Sequence, residues 1–276
     1  MDPLVGADLV FGCVPHVDDD AVRGKLNEFC DAIGALAGMK VRPHRSPSPA
    51  ALANAFATGR VDIAWLSPTL FLSGAAFRYA APLVSSVREG ATQFHAVLFV
   101  RRDSAIRSPT QLVGASAAWV APTSASGYIV PRLALARYGL DPRTLFRVEA
   151  FVNSHGAVSR AVLEGRADVG ATYAVFEHGD ATQKVVRAGF DNVPELDARI
   201  LHAAGPIPSD LVVAARGVPI VTRAALVRAL EHVHERARGP ILSLFGADAF
   251  TSYVAGSLDP LREEVEAGIA LGLLEG

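Results

Sequence analysis

The sequence predicts an α/β fold with two lobes. Short apolar runs with the period of strands alternate with longer stretches of helical period, and several of these runs end in polar residues that begin a helix. Two long apolar strands separate the first and last parts of the chain from its middle. A chain of 276 residues, half of them apolar, is long enough for one large domain or two smaller ones.

The elements follow each other in an order that favours βαβ units, with ligand clefts at the carboxyl ends of parallel strands. A strand over 61–66 ends at Ser67-Pro68-Thr69, where Ser67 is the predicted N-cap and Pro68 the first helical residue of the next helix. The strand over 92–101 is interpreted as a crossover from one sheet to another, and a second such strand covers 211–215. Further strands are predicted over 8–14, 115–120, 148–152 and 167–172, and helices over 22–36, 70–77, from about 127 to 138, 156–163 and 222–238, with another near the C-terminus.

The most informative segment runs from Thr123 to Gly127, where three hydroxyls and a glycine lie between a strand and a helix. A helix that begins near Ser126 would direct unpaired N–H groups and the positive end of its dipole toward this loop, and Thr123, Ser124 and Ser126 would add donors. This pattern predicts a site for an oxyanion of phosphate type. The same residue types also form ordinary N-caps.

Four further polar residues lie near the ends of predicted strands. His155 lies in Asn153-Ser154-His155-Gly156 and can donate to an oxyanion from one ring nitrogen, or it is a surface histidine in a capping loop. Tyr173 and Glu177 follow the strand over 167–172, and Asp210 lies in a turn before the strand over 211–215. These carboxylates either bind a ligand amine or are solvated charges.

Composition excludes several classes. The net charge is −2 and the basic residues are scattered, which argues against a nucleic-acid partner, and apolar runs are broken well before membrane-spanning length. The N-terminus lacks a secretory leader, so the chain is either a trimmed mature form or a cytoplasmic protein. Cys13 and Cys30 lack metal-ligand spacing and are predicted to be two buried thiols in preference to a disulfide. We expect no metal and no cofactor.

The order and spacing of the polar segments resemble those of the phosphate, phosphite and phosphonate substrate-binding proteins of ABC importers. The resemblance covers roughly residues 8–220, and its most specific feature is the Ser-x-Ser-Gly segment in register with a Ser-His pair. The segments that carry it are Gly59-Arg60-Val61-Asp62-Ile63-Ala64-Trp65-Leu66-Ser67-Pro68, Val100-Arg101-Arg102-Asp103-Ser104, Ser124-Ala125-Ser126-Gly127-Tyr128, Ser154-His155, the run from Ala161 to Ala171, and Ile207-Pro208-Ser209-Asp210.

This resemblance implies a type 2 periplasmic-binding-protein fold that closes on a tetrahedral oxyanion by hinge motion. Each lobe would be a mainly parallel sheet flanked by helices, and two crossover strands would form the hinge. We predict lobe 1 over 1–95 plus 212–276, lobe 2 over 96–211, and a ligand cleft between them.

Matched residue by residue, the resemblance implies a set of ligand contacts. Ser124, Ser126 and the backbone near Gly127 would bind the oxyanion, His155 matches the family's histidine ligand, and Ser67 to Thr69 would face the ligand from the first lobe. Asp210 matches a region that approaches the amine of aminophosphonates, and Tyr173 lies where the family often has Asp or Asn.

Two departures affect the ligand more than the fold. Ala125 replaces a common threonine, and Phe94 replaces a common aromatic hydroxyl, with His95 beside it. Each lost donor would cost about 1–3 kcal/mol of oxyanion binding unless water or His95 substitutes.

We therefore predict a monomeric, non-enzymatic receptor that captures a phosphonate, phosphite or phosphate for an ABC permease. The resemblance implies a periplasmic or lipid-anchored location. Two alternatives stay open: an enzyme on the same fold that acts on a small carboxylate or phosphate metabolite, and a cytoplasmic ligand-sensing domain. The first would require a nucleophile with a base, and no such pair is evident.

Overall fold

The structure, a computed structural model, describes residues 8–15 and 20–272. Residues 1–6, on which the interpretation of the N-terminus depends, lie outside this part. The chain divides into two compact units. Unit 1 comprises Met1–Thr92 and Ser209–Ser257, and unit 2 comprises Gln93–Pro208 and Leu258–Gly276.

Strands and helices alternate along much of the chain, as the periodicity predicts. The strands are β1 (Asp8–Cys13), β2 (Lys40–Arg45), β3 (Ile63–Leu66), β4 (Ala81–Val87), β5 (Gln93–Arg101), β6 (Ser116–Trp119), β7 (Val148–Phe151), β8 (Val169–Phe176), β9 (Val185–Ala188), β10 (Ala198–Pro208), β11 (Leu211–Ala214) and β12 (Ala249–Ser252). The helices are α1 (Asp20–Ala37), α2 (Pro49–Ala57), α3 (Pro68–Ser73), α4 (Val130–Ala136), α5 (His155–Leu163), α6 (Ile220–His232), α7 (His234–Phe245) and α8 (Asp259–Ala270).

Unit 1 is built on a six-stranded mixed sheet in the order β12-β4-β11-β3-β1-β2. Strand β1 pairs in parallel with β2 and β3, whereas β11 pairs antiparallel with β3 and β4. Its core is rich in aromatic side chains, which bury large apolar areas. Phe29 packs edge-on against Phe11 at 5.2 Å and against Phe245 at 4.9 Å, which fastens α1 and α7 to the sheet.

Unit 2 contains a second mixed sheet in the order β10-β5-β8-β6-β7, with β9 paired to β8. Successive residues of β5 point to opposite faces, so Leu98 and Phe99 belong to separate apolar clusters. The cluster that contains Leu98 also contains Trp119 and Leu135, and the cluster that contains Phe99 is formed with apolar residues of α5. Both faces of the sheet are therefore covered, and β6 and β8 can be almost wholly apolar.

The α/β fold class is confirmed, but the sheets differ from the predicted parallel arrangement. In each sheet only two strand pairs are parallel, because β4, β5, β10, β11 and β12 pair antiparallel with their neighbours. Neither β5 nor β11 passes from one sheet into the other. The chain instead leaves unit 1 after Thr92 and returns at Ser209, so β4 and β5 are successive strands of different sheets. Ser209 N donates to Thr92 O at 2.9 Å, which joins the point where the chain leaves unit 1 to the point where it returns.

The C-terminal helix was predicted to belong to lobe 1, but α8 packs in unit 2 against α4 and β10. An ion pair between Arg137 and Glu264 supports this packing. Next to Arg137, the hydroxyl of Tyr138 forms a hydrogen bond with Nδ1 of His202 on β10 at 2.9 Å, which holds the end of α4 to the same strand. The sequence pattern of α8 is amphipathic and fits either lobe, so only tertiary contacts assign it.

Cys13 and Cys30 are free thiols buried in unit 1. Burial raises the pKa of the Cys13 thiol to about 12 and also raises that of Cys30. Neither thiol is activated as a nucleophile. No helix among residues 8–15 and 20–272 is long and apolar enough to cross a membrane.

Candidate oxyanion site

The predicted oxyanion loop follows the carboxyl end of β6 and enters a single π-helical turn over Ala125–Ile129, which leads into α4. Ile129 N donates to Ser124 O at 3.0 Å, five residues back, which defines the π turn. The N-cap is Ser124 and not Ser126, because Ser124 Oγ accepts from Gly127 N at 3.1 Å. Single π turns occur often at functional sites because they reorient backbone groups locally.

The three hydroxyls of this loop differ in their surroundings. Thr123 is exposed and Ser124 is half-buried, so its hydroxyl can still donate a proton while it caps the turn. Ser126 is only 5% exposed, yet its hydroxyl makes no hydrogen bond within the described part of the chain. The Ser126 hydroxyl is therefore available to donate to a ligand.

Gly127 is required by close packing. A Cβ atom at this position would lie 2.3 Å from Val120 Cγ2 and 2.8 Å from Ser124 Oγ. Gly127 O also accepts from Val120 N at 3.1 Å, which holds the turn against the end of β6. The glycine thus allows the backbone N–H groups at the start of the turn to lie at the strand end.

The second predicted segment begins α5 after β7. Asn153 adopts a left-handed conformation with φ of 67°, and Ser154 caps the helix by accepting from Ala157 N at 3.1 Å. His155 is the first helical residue. Its Nδ1 lies 2.8 Å from Oγ1 of Thr172, a fully buried residue of β8 that the sequence interpretation did not single out.

Aromatic side chains adjoin His155. The Tyr173 ring lies edge-on to the His155 ring at 5.1 Å and to Phe94 at 6.5 Å. The guanidinium of Arg187 lies over the Tyr173 ring at 5.7 Å. Phe94, Tyr173 and His155 are therefore neighbours, and Arg187 adds a positive charge that sequence reasoning missed.

His95 is next to Phe94 in β5, so its side chain points to the other face of the strand. It is 5% exposed and packs edge-on against Phe176 at 5.3 Å. Burial lowers the pKa of His95, against a smaller opposing effect of Asp180, so the ring is neutral at neutral pH. Its surroundings favour a packing role over the donor role that the sequence suggested.

Unit 2 brings both helix starts to the same strands. The π turn packs against β5 and β8, and α5 packs against β8 and β6. Asn153 N donates to Val120 O at 2.9 Å, so the ends of β6 and β7 are joined as well. Ser124, Ser126, Gly127, His155, Tyr173 and Phe94 all belong to this one region of unit 2.

Unit 1 carries a third helix start. Ser67 caps α3 by accepting from Leu70 N at 3.3 Å, and Pro68 is the first helical residue, as the sequence predicted. Ser67 Oγ and Thr69 Oγ1 lie 3.1 Å apart, and Thr69 is buried, with 3% of its surface exposed. The two hydroxyls therefore form a polar pair after the carboxyl end of β3.

Asp210 has a structural partner that the sequence could not indicate. Its carboxylate binds Arg88 Nη2 at 2.5 Å, and Arg88 also donates to Phe245 O and Gly246 O, each at 2.9 Å. The Asp210 carbonyl accepts from Ser86 N at 2.8 Å. Asp210 thus fastens the returning chain to β4 and α7, which leaves a ligand amine as the less favoured partner.

We expect Asp210→Asn to lower the free energy of unfolding by about 1–2 kcal/mol, because a partly buried ion pair loses its negative partner. Its affinity for 2-aminoethylphosphonate should change no more than its affinity for methylphosphonate. Urea denaturation and calorimetry measure both quantities. Asp197→Asn is the control, since the pair of Arg102 and Asp197 is 61% and 71% exposed. A selective loss of aminophosphonate affinity in Asp210→Asn would assign the carboxylate to the ligand.

Gly189 lies close to both His155 and Thr172. A Cβ atom on Gly189 would lie 1.9 Å from Thr172 Oγ1 and 3.1 Å from His155 Cβ. We expect Gly189→Ala to cost about 1–3 kcal/mol of stability through overpacking and to weaken methylphosphonate binding, because Thr172 and His155 must shift. Gly217→Ala is the control, since nothing lies within 4 Å of its Cβ position. Equal behaviour of the two variants by denaturation and calorimetry would contradict this account.

A partly buried ionic cluster lies behind the π turn. Arg132 of α4 pairs with Glu149 of β7, and Glu149 also accepts from Trp119 Nε1 at 2.7 Å. Arg132 donates to Pro142 O at 2.6 Å and lies over the Tyr128 ring at 5.1 Å. No local sequence pattern indicates this cluster beyond single charges in apolar runs. It fixes α4, and therefore the residues that follow the π turn.

No group of His, Cys, Asp or Glu that could hold a metal occurs within the described ranges. The donors at the helix starts are hydroxyls, N–H groups and an imidazole, which suit an anion more than a cation.

These features define a type 2 periplasmic binding protein, and comparisons with known proteins agree. The family described as "ABC transporter, phosphonate, periplasmic substrate-binding protein" matches residues 11–255. The chain belongs to this family. No protein of curated function matches the sequence significantly.

Solved structures share the fold at low identity. XAC2383 from Xanthomonas citri bound to ATP has 23% identity and a TM-score of 0.76, over 96% of this chain and 98% of that chain. PhnD1 from Prochlorococcus marinus in complex with methylphosphonate has 16% identity and a TM-score of 0.69, over 96% and 98%. A binding protein component of an ABC phosphonate transporter from Pseudomonas aeruginosa has 18% identity and a TM-score of 0.68, over 96% and 87%.

Proposed function

We propose that the protein binds a phosphorus oxyanion, namely a phosphonate, phosphite or phosphate, and delivers it unchanged to an ABC permease. The observation that carries this proposal is the Ser126 hydroxyl, which makes no hydrogen bond in the described structure although the residue is only 5% exposed, in a turn that begins with free N–H groups. Family membership supports the transport role. A periplasmic or lipid-anchored location and a monomeric state are part of the same proposal.

Each site residue has a proposed role. Ser126 Oγ, the Ser124 hydroxyl and the N–H groups near Gly127 donate to oxyanion oxygens, and His155 donates from Nε2. Thr123 can add a donor at the exposed edge of the loop. Phe94 and Tyr173 supply an apolar wall beside the oxyanion, which favours a ligand with a carbon substituent on phosphorus over phosphate itself.

The ligand cleft between the lobes stays a prediction. We propose that the start of α3 adds Ser67 and Thr69 as donors when the lobes close on a ligand. The chain crosses between the units after Thr92, after Pro208 and after Ser257, and the bond from Ser209 N to Thr92 O joins the first two crossings, which suits a hinge. Substitution Ser67→Ala should then reduce affinity, and it should also lower the free energy of unfolding by about 0.5–2 kcal/mol because it removes the N-cap of α3.

The proposal requires no catalytic step. The hydroxyl bonded to His155 Nδ1 is that of Thr172, which is fully buried. It lacks the exposure that a nucleophile needs to reach a substrate. The donors at the helix starts instead suit binding and release of an unchanged anion.

Calorimetric titration tests the proposal. The purified chain, unfolded and refolded to remove bound ligand, is titrated with phosphate, phosphite, methylphosphonate, 2-aminoethylphosphonate, sulfate and ATP; ATP is included because a protein of the same fold holds it. We expect tight binding of one phosphorus oxyanion, recovered unmodified by phosphorus NMR. If none of these compounds bound, the proposed function would be contradicted. Chemical conversion of the ligand would favour an enzyme.

A further inference from the structure

Thr172 occupies an unusual position for a polar residue. It lies in the middle of β8 with no exposed surface, and its hydroxyl is 2.8 Å from Nδ1 of His155. The close approach of Gly189 confines both side chains, since any Cβ there would overlap Thr172 Oγ1. The distance and the confinement make this a fixed hydrogen bond, shorter than the usual N–H···O length.

A neutral imidazole has one N–H donor and one acceptor nitrogen, and the partner of one nitrogen decides the role of the other. If the Thr172 hydroxyl donates to Nδ1, the proton of the ring must lie on Nε2. An oxyanion offers only acceptors, so a donor at Nε2 is the form that binds it. If Thr172 accepted from Nδ1–H instead, neutral His155 would present a lone pair at Nε2 and repel the oxyanion.

We propose that Thr172 is a positioning residue, which donates its hydroxyl proton to Nδ1 of His155 and so keeps Nε2 protonated as a donor toward the bound oxyanion. The inference deepens the proposed function and rests on it. His155 then binds the anion as a neutral donor whose tautomer the protein selects. Because the Nδ1 partner is a hydroxyl and not a carboxylate, the pairing does not favour an imidazolium.

The groups around His155 agree with this arrangement. Its ring contacts Tyr173, over which Arg187 lies. Asp191 lies in the segment that packs on α5. Its carboxylate accepts a hydrogen bond from the backbone N–H of Ala188, three residues earlier, at 2.6 Å. Strand β6 carries no charged side chain, and the titratable residues of β5 are His95 and Arg101. Arg187 thus places a positive charge beside the ring pair of Tyr173 and His155.

The tautomer can be read directly in the ligand-free protein. Two-bond proton–nitrogen NMR spectra of protein with labelled histidines distinguish the two neutral tautomers, and His155→Gln identifies the His155 signals among the eight histidines. At about pH 8, where histidine is neutral, we expect the Nε2–H form for wild type. We expect a mixture of tautomers for Thr172→Val and recovery of the Nε2–H form for Thr172→Ser.

Affinity for methylphosphonate is the second readout. Thr172→Val should bind about three- to tenfold more weakly, the effect of one lost orienting hydrogen bond, and Thr172→Ser should bind within about twofold of wild type. An Nδ1–H tautomer in wild type would overturn the inference, and this measurement does not depend on the folding of any Thr172 variant. So would a Thr172→Val protein with an unchanged tautomer. An intact Nε2–H tautomer in a wild type that binds no oxyanion would uphold the positioning by Thr172 and reject the proposed function.

Discussion

Replacement of Ser126 by alanine is expected to weaken methylphosphonate binding about 10- to 100-fold, while the free energy of unfolding stays within about 0.5 kcal/mol of wild type. A hydrogen bond to a charged group contributes about 1.5–3 kcal/mol, and this factor in affinity follows from it. Stability should hold because the Ser126 hydroxyl has no partner in the described structure, so its removal breaks no internal bond. Calorimetry and urea denaturation measure the two quantities.

Ser116→Ala is the matched control for this experiment. Ser116 lies at the opposite end of β6, and its hydroxyl binds Asp168 at 2.6 Å. This variant should lose some stability and keep its affinity, the reverse of Ser126→Ala. If Ser126→Ala bound methylphosphonate as tightly as wild type, the π turn would not be the oxyanion site.

The largest effect on stability is expected for Glu149. We predict that Glu149→Ala lowers the free energy of unfolding by about 3 kcal/mol, the lower part of the range for removing one partner of a buried ion pair. The side chain of Arg132 is 7% exposed and would keep its charge with only Pro142 O and two aromatic rings as partners. Glu149 retains 26% exposure, which reduces the effect below that of a fully buried pair.

A double-mutant cycle separates the ion pair from its surroundings. Arg132→Met combined with Glu149→Leu should cost less than the sum of the two single changes, because neither variant side chain leaves an unpaired charge. Glu164→Ala is the control, since its pair with Arg166 is more than half exposed on both sides and should contribute less than about 1 kcal/mol. Additive losses in the cycle would show that the two charges act independently.

Much of the fold could be predicted because its central strands are apolar runs. The strands β1, β3, β5, β6, β7 and β11 match predicted segments within a few residues. Strand β2 was missed because Lys40, Arg42, Pro43, His44 and Arg45 give no apolar period, which suits an edge strand. Strand β10 was missed because Gly205 and two prolines resemble a loop.

The site could be predicted only where helix caps carry it. Ser67 was identified as an N-cap because a serine before a helix has a local signature, and the segment from Thr123 to Gly127 was singled out for the same reason; its role as an oxyanion site stays a prediction. The π turn was not predicted, because it depends on contact between Gly127 and Val120. The partners of Asp210 and His155 lie 122 and 17 residues away, and no local pattern indicates either pair.

A crystal structure of the protein with methylphosphonate would test the central claim most directly. We predict that phosphonate oxygens lie within hydrogen-bonding distance, about 2.5–3.2 Å, of Ser126 Oγ, of a backbone N–H at the start of the π turn, and of His155 Nε2. Methylphosphonate bound elsewhere, or bound in this region without contact to Ser126 and His155, would contradict the account.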